Sequence, residues 1–137
     1  MIGILIISHG DFGDSLIHCA NHVMGKKPEY LMHFGVTIQD DPDVAIPKVL
    51  ELLRRLDCGD GVLILSDICG ATPCNIANRL VSPGRVECLS GANLPMLVRA
   101  LTYRNEPLES VVEKALAGGK EGVMRIYSRS SNATQGS

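Results

Sequence analysis

The sequence has no tryptophan, few aromatic residues and no excess of basic charge. Aromatic residues make up 4% of the 137 residues, and 13 basic side chains stand against 15 acidic ones, for a formal net charge of −2. Proteins that bind nucleic acids ordinarily carry a basic surface, and single strands are commonly held on aromatic side chains. These absences argue against a nucleic-acid-binding protein, so we expect no nucleic acid among its partners.

Long hydrophobic runs and paired cysteines are also missing. The apolar start, residues 2–7, is followed at once by polar residues and is too short for a signal-peptide core or a membrane span. The five cysteines include no C-x-x-C pair. We therefore expect free thiols in a reducing cytoplasm and no direct membrane insertion. The length suits one domain and excludes an enzyme with separate nucleotide and substrate domains.

Short apolar runs alternate with segments of helical periodicity along the chain. The runs predict strands at residues 2–7, 30–34, 62–65 and 86–89. Helices between them predict an α/β fold, with a doubly wound, mainly parallel sheet of four strands and helices on both faces.

The remaining predictions concern helix ends and the C-terminus. Pro47 indicates either that the second helix begins near it or that this helix is kinked close to its first turn. Gly118-Gly119 predicts the end of the last helix, and residues 123–127 a last strand. We expect residues 1–127 to form the domain and the polar residues 128–137 to be a disordered tail.

Two polar residues follow buried strands of the predicted sheet. His9 ends the first apolar run, and Asp67 follows the third. If these strands are neighbours, both side chains emerge at the same edge, where Asp67 can accept a hydrogen bond from the N–H of one imidazole nitrogen and leave the other nitrogen nucleophilic. The alternative is that His9 only ends a strand, with its side chain in solvent.

A turn of small residues follows Asp67. Gly70 and Ala71 allow close approach, Thr72 offers a hydroxyl and an amide, and Pro73 starts a helix. This set can hold the three oxygens of a transferring phosphoryl group without a metal, whereas the alternative makes Thr72 an ordinary helix cap.

Other polar residues give weaker signals. Gly91 and Asn93, after the fourth strand, either shape a loop or contact a ligand. His18 and His22 have a spacing that can bind metal, but no acidic or cysteine partner completes a motif. We expect no metal and no cofactor.

Four segments together carry a family resemblance. They are residues 8–10, 65–67, 70–75 and 91–97, with sequences SHG, LSD, GATPCN and GANLPML. Over about residues 1–126 the chain resembles the enzyme IIA component of the mannose/sorbose family of the bacterial phosphoenolpyruvate-dependent sugar phosphotransferase system (PTS).

The resemblance implies a phosphotransferase component with His9 as the residue that is phosphorylated. The phosphocarrier HPr would donate the phosphoryl group, and a IIB protein or domain would receive it. Asp67 would hydrogen-bond the other ring nitrogen, and Gly70, Ala71 and Thr72 would hold the phosphoryl oxygens. Typical members have glycine at the position of Ala71 and serine at that of Thr72.

The resemblance also implies an assembly and leaves the physiological role open. Members generally form homodimers with a last strand exchanged between subunits, which residues 122–127 match, and a IIC/IID permease is a possible associate. Our leading hypothesis is a cytoplasmic phosphohistidine carrier for sugar uptake. The alternatives are a regulatory phosphoacceptor without a cognate permease, and the phosphoryl donor subunit of a dihydroxyacetone kinase.

Overall fold

A single parallel sheet organises the computed structural model, which describes residues 1–37, 39–68 and 72–129. The strands are β1 (Gly3–His9), β2 (Leu31–Val36), β3 (Val62–Ser66) and β4 (Val86–Ser90). Their order is β2-β1-β3-β4, and every neighbouring pair is parallel. The four predicted strands and the parallel sheet are confirmed.

Helices cover both faces of this sheet. They are α1 (Phe12–Met24), α2 (Pro42–Leu56), α3 (Thr72–Leu80), α4 (Leu94–Thr102) and α5 (Leu108–Glu121). Ile4 and Ile6 of β1 pack in a core with α1, α4 and α5, whereas Leu5 and Ile7 pack in a second core with α2 and α3. Because β1 is buried on both faces, residues 4–7 are apolar at every position rather than at alternate ones.

The strand order places a switch point between β1 and β3. After β1 the chain adds β2 on one side, and it then returns to add β3 on the other. Helices that follow β1 and β3 therefore leave on opposite faces, which opens a crevice at the carboxyl ends of these two strands. His9 and Asp67 lie at that crevice.

The prediction that Gly118-Gly119 ends the last helix is wrong, because α5 continues to Glu121. The two glycines instead allow α5 to pack closely on α4. A Cβ at Gly118 would lie 2.8 Å from Cβ of Arg99, and one at Gly119 would lie 2.7 Å from Cε of Met96. Tertiary packing thus explains residues that a local pattern assigns to a helix end.

The second helix begins at Pro42, not near Pro47. Asp41 caps it by accepting a hydrogen bond from the N–H of Asp43 at 2.9 Å, and Pro42 occupies the start of the helix, where no donor is needed. Pro47 lies inside the helix. The alternative that placed the start of the helix at Pro47 is therefore wrong.

The predicted C-terminal strand is absent from the described single chain. Residues 123–128 adopt neither helix nor strand, and Val123, Met124 and Ile126 are exposed. A strand needs a hydrogen-bonded neighbouring strand, which a second subunit would supply in an exchanged dimer. Strand exchange between subunits stays a prediction. Of the predicted tail, residues 130–137 lie outside the described residues. In the described part of the chain, no helix is long and apolar enough to cross a membrane.

Candidate functional site

His9 and Asp67 are in direct contact at the carboxyl ends of β1 and β3. Nδ1 of His9 lies 2.8 Å from Oδ2 of Asp67, and the backbone N–H of His9 donates to the same oxygen at 2.9 Å. The second carboxylate oxygen, Oδ1, accepts the N–H of Ile68 at 2.8 Å. The structure therefore brings together the two residues that the sequence predicts to meet.

These contacts decide the charge of Asp67. Burial raises the pKa of this carboxyl, but the hydrogen bonds from the backbone and ring of His9 and from the N–H of Ile68 outweigh burial, so the pKa lies below its ordinary value. Asp67 is therefore ionised at neutral pH and can only accept hydrogen bonds.

An ionised Asp67 fixes the tautomer of the neutral His9 ring. Because the carboxylate only accepts, Nδ1 must carry the ring proton, and the lone pair then lies on Nε2. The side chain of His9 is 43% exposed, whereas that of Asp67 is 15% exposed. The pair thus has a sheltered orienting group and an accessible nucleophile.

The turn after β1 is held by close backbone contacts with β2. The N–H of Gly10 donates to the carbonyl oxygen of Val36 at 2.9 Å, and Gly10 has a φ of +47°. A Cβ at Gly35 would lie only 2.4 Å from the carbonyl oxygen of Gly10. Gly35 therefore lets the turn that follows His9 lie directly against the end of β2. A glycine inside a strand pattern signals such an approach, but we did not predict it.

Ser8 fixes the start of α1 beneath the site. Its buried hydroxyl oxygen accepts the N–H of Gly13 at 2.8 Å. This contact satisfies one of the free amides in the first turn, which Asp11 at the N-cap position leaves without a side-chain bond. Ser8 is a positioning residue. Its place in the SHG segment is part of the family resemblance, but a serine at a strand end does not by itself indicate this role.

The other predicted site residues are placed less completely. Thr72 is the first residue of α3, so it lies on the edge to which β3 leads. Gly70 and Ala71 fall outside the described residues. Asn93 caps α4 by accepting the N–H of Met96 at 2.9 Å and also donates to the carbonyl oxygen of Gly119 at 3.0 Å. These bonds favour the loop-shaping interpretation of Asn93.

A metal centre finds no support in the described part of the chain. No three histidine, cysteine, aspartate or glutamate side chains come together there as a metal site would require. His18 and His22 are both exposed on α1.

Comparison with known proteins decides the family. The family model EIIA-man, described as the PTS system fructose IIA component, matches residues 3–116. The chain belongs to this family. The mannose-specific EIIAB component of Escherichia coli K12 is 30% identical over 131 residues, which cover 93% of this chain and 40% of that protein. The fructose-specific EIIA component of Bacillus subtilis 168 is 30% identical over 108 residues, 76% of this chain and 71% of that protein.

Solved structures of EIIA proteins share the fold. EIIA from Streptococcus agalactiae matches with a TM-score of 0.80 and 25% identity, over 91% of this chain and 97% of that chain. The mannose/sorbose-specific IIA subunit from Enterococcus faecalis has a TM-score of 0.81 at 21% identity, over 93% and 96%. This EIIA-man chain spans about 40% of the length of its Escherichia coli relative, and it corresponds to nearly the whole of each solved structure.

Proposed function

We propose that this EIIA-man chain is a cytoplasmic phosphohistidine carrier that takes a phosphoryl group from HPr on Nε2 of His9 and passes it to a IIB component for sugar uptake. The contact between Nδ1 of His9 and Asp67, at 2.8 Å, carries the proposal. It leaves the accessible ring nitrogen as the only one free to attack.

The transfer step is an in-line displacement at phosphorus. The lone pair of Nε2 forms the new nitrogen–phosphorus bond while the bond between phosphorus and the donor's nitrogen breaks, and its electron pair stays with the donor. The His9 ring becomes a cation that keeps its proton on Nδ1, and the ionised Asp67 stabilises that cation. Discharge to the acceptor is the same step in reverse.

Two helix starts support binding of the transferred group. The helices α1 and α3 begin next to the carboxyl ends of β1 and β3, and amides in the first turn of a helix favour an anion. In this proposal Thr72 gives its hydroxyl and amide to the phosphoryl oxygens, and Gly70 and Ala71 supply further amides.

The test is phosphorylation in a reconstituted system. The chain is incubated with phosphoenolpyruvate, enzyme I and HPr, and the product is examined for an acid-labile phosphate and by phosphorus NMR. We expect one phosphoryl group, bound to Nε2 of His9. His9→Ala should take up none.

A histidine on the exposed face of α1 provides the matched control. His18→Ala removes a solvent-exposed imidazole away from the strand ends and should be phosphorylated like the wild type. Label retained by His9→Ala, or a wild-type chain that stays unmodified, contradicts the proposal.

Sugar uptake is favoured over the two other roles by the relatives, which are named as components for mannose and fructose. Uptake predicts rapid discharge of phosphorylated His9 to a IIB protein. A regulatory phosphoacceptor would instead retain the phosphate and change its binding to another protein, and a dihydroxyacetone kinase subunit would discharge only to that kinase.

The predicted homodimer belongs to the same proposal. Val123, Met124 and Ile126, after α5, are 77%, 71% and 87% exposed, and β4 is an edge strand. An exposed apolar segment in a chain whose sheet ends in an edge strand favours pairing with a second subunit. Sedimentation should give a dimer, and removal of residues 122–137 should give a monomer. Association with a IIC/IID permease would follow through the IIB partner.

A further inference from the structure

The amino edge of the sheet, where the strands begin, holds a buried arginine without an acidic partner. Arg104 is 6% exposed and donates four hydrogen bonds to main-chain carbonyl groups of the described residues. Carbonyl groups solvate a guanidinium but carry no net charge. In the described part of the chain no ion pair involves Arg104. Because a buried charge is costly unless an opposite charge compensates it, this guanidinium gains from a bound anion.

The guanidinium of Arg104 keeps both its charge and a donor. Burial lowers the pKa of Arg104, but a guanidinium stays protonated in proteins. It has five N–H donors, and carbonyl groups of the described residues accept hydrogen bonds from four of them. One N–H is therefore left, in this part of the chain, for a further acceptor.

A cavity of about 560 Å³ lies against Arg104 and has basic and apolar walls. Lys26 and Lys27 line it, and so do Met24 and Leu101. Among residues 1–37, 39–68 and 72–129, no ion pair involves either lysine. Lysines after the end of a helix, as these are after α1, are common, so the argument for a ligand rests on their place beside a buried guanidinium. The cavity has the size of a site for a small molecule.

The segment that carries the two lysines is held in place by hydrogen bonds. The carbonyl oxygens of Glu29 and Tyr30 accept N–H groups of Arg104 at 2.6 and 2.9 Å. That of Tyr30 also accepts the N–H of Ile4 at 3.0 Å. Tyr30 has a φ of +51°, in the left-handed region that bulky side chains rarely adopt. The surrounding contacts thus fix a strained backbone, and a wall formed before binding lowers the entropy cost of binding.

The charges around the cavity fit an anion with two negative charges. Arg104 and the two lysines are positive, and Glu29, which also lines the cavity, is negative. Glu29 attracts Arg104 electrostatically but is exposed and forms no ion pair with it in the described part of the chain. The N-terminal amine of Met1, another lining residue, is paired with Asp60. A phosphate monoester carries about two negative charges above pH 7, whereas a carboxylate carries one.

We propose that this cavity binds a small organic phosphate monoester, with its phosphate at Arg104, Lys26 and Lys27 and its carbon skeleton against Met24 and Leu101. The site lies at the opposite edge of the sheet from His9. It adds a ligand to the function proposed above and does not depend on that function.

The test uses phenyl phosphate as the probe and methionine methyl groups as reporters. The chain, labelled with ¹³C at these methyl groups, is titrated above pH 7 and followed by NMR. We expect saturable shifts of the Met1 and Met24 signals and none of Met124, which is 71% exposed after α5. Inorganic phosphate lacks the apolar ring and benzoate has a single charge, so each should bind at least about threefold more weakly.

Variants of the lining residues test the charges. The double variant Lys26→Gln and Lys27→Gln should weaken binding of phenyl phosphate about three- to tenfold, and Glu29→Gln should strengthen it about twofold. The matched control is the double variant Lys48→Gln and Lys120→Gln, which removes two exposed lysines from α2 and α5. It should leave the affinity unchanged.

His9→Ala separates this site from the one that accepts the phosphoryl group. It should bind phenyl phosphate like the wild type, and because no measurement requires phosphorylation of His9, the result is independent of the proposed function. The proposal is overturned if His9→Ala abolishes binding or if millimolar phenyl phosphate leaves Met1 and Met24 unshifted. A lysine double variant that binds like its control also overturns it, as does equal binding of phenyl phosphate, inorganic phosphate and benzoate.

Discussion

At each edge of the sheet one charged side chain makes hydrogen bonds to the main chain, and the two side chains have opposite charges. At the carboxyl edge the carboxylate of Asp67 accepts hydrogen bonds from N–H groups, including that of His9. At the amino edge Arg104, which is 6% exposed, donates to the carbonyl oxygen of Ile2 at 2.8 and 3.2 Å and to that of Tyr30 at 2.9 Å. Each group therefore hydrogen-bonds main-chain atoms at its own edge of the sheet.

The difference lies in what each side chain leaves accessible. Among the described residues, the hydrogen bonds of Arg104 all go to main-chain carbonyl groups, which also include that of Glu29 at 2.6 Å. Arg104 thereby joins the start of β1 to the segment before β2. Asp67 binds the ring of His9 as well as main-chain N–H groups, and that ring is 43% exposed. Arg104 therefore connects main-chain segments at the amino edge, whereas Asp67 orients a reactive side chain that is exposed to solvent at the carboxyl edge.

The largest expected effect is a loss of stability caused by a change at the amino edge. Arg104→Met removes the donors to three carbonyl groups and should lower the free energy of unfolding by about 3 kcal/mol. Phosphoryl transfer per folded molecule should be unchanged. Urea unfolding and the transfer rate below the unfolding transition measure the two quantities.

Arg79→Met is the control for that change, because the ion pair of Arg79 in the described part of the chain, with Asp43 at 3.1 Å, is exposed. It should alter the free energy of unfolding by less than about 0.5 kcal/mol. Equal losses of unfolding free energy in the two variants would show that the hydrogen bonds of Arg104 do not stabilise the amino edge.

The next effect is a fall in the rate of phosphoryl transfer caused by a change at the carboxyl edge. Asp67→Asn places an amide N–H₂ group where the carboxylate stood, and this group can donate to Nδ1 of His9 and so favour the tautomer with its proton on Nε2. The transfer rate should fall roughly 100-fold, and the free energy of unfolding should change by less than about 1 kcal/mol. A rate within twofold of wild type would show that Asp67 does not orient His9.

Substitution of two glycines by alanine, one at each edge, is expected to have effects of intermediate size that can be compared directly. A Cβ at Gly3 would lie 2.3 Å from the carbonyl oxygen of Leu56 near the amino edge, and one at Gly35 would lie 2.4 Å from that of Gly10 at the carboxyl edge. Each substitution by alanine should cost about 1–3 kcal/mol of unfolding free energy. Only Gly35→Ala should also slow transfer, by about tenfold, since it displaces the turn after His9. Equal transfer rates in the two variants would argue against this role of the turn.

Sequence reasoning predicts the carboxyl edge better than the amino edge. Buried parallel strands leave continuous apolar runs in the sequence, and the residues that follow such runs lie at one edge, so the pattern predicts that His9 and Asp67 meet if their strands are neighbours. Arg104 lies in a loop and binds a residue 102 positions away. Nothing in its local sequence indicates that contact.

The prediction of the end of α5 is wrong for the same reason, because the contacts that decide it lie far away in the sequence. Gly118 and Gly119 fit a local rule for helix ends, but their neighbours Arg99 and Met96 come from α4, and contacts between elements override local preference. Residues 123–127 have the composition of a strand, yet the partner that would pair with them is not determined by their own sequence.

The smallest expected effect is a dependence of stability on pH that Asp67 adds at the carboxyl edge. Because the folded protein lowers the pKa of Asp67, its ionised form contributes stability that is present above the ordinary aspartate pKa of about 3.9. That contribution is lost as the pH falls through the lower pKa of the folded state. The difference in unfolding free energy between wild type and Asp67→Asn should therefore shrink between pH 5 and pH 2.5, by less than about 1 kcal/mol. A difference that grows on acidification would mean that folding raises the pKa of Asp67, contrary to the effect of the hydrogen bonds that its carboxylate accepts.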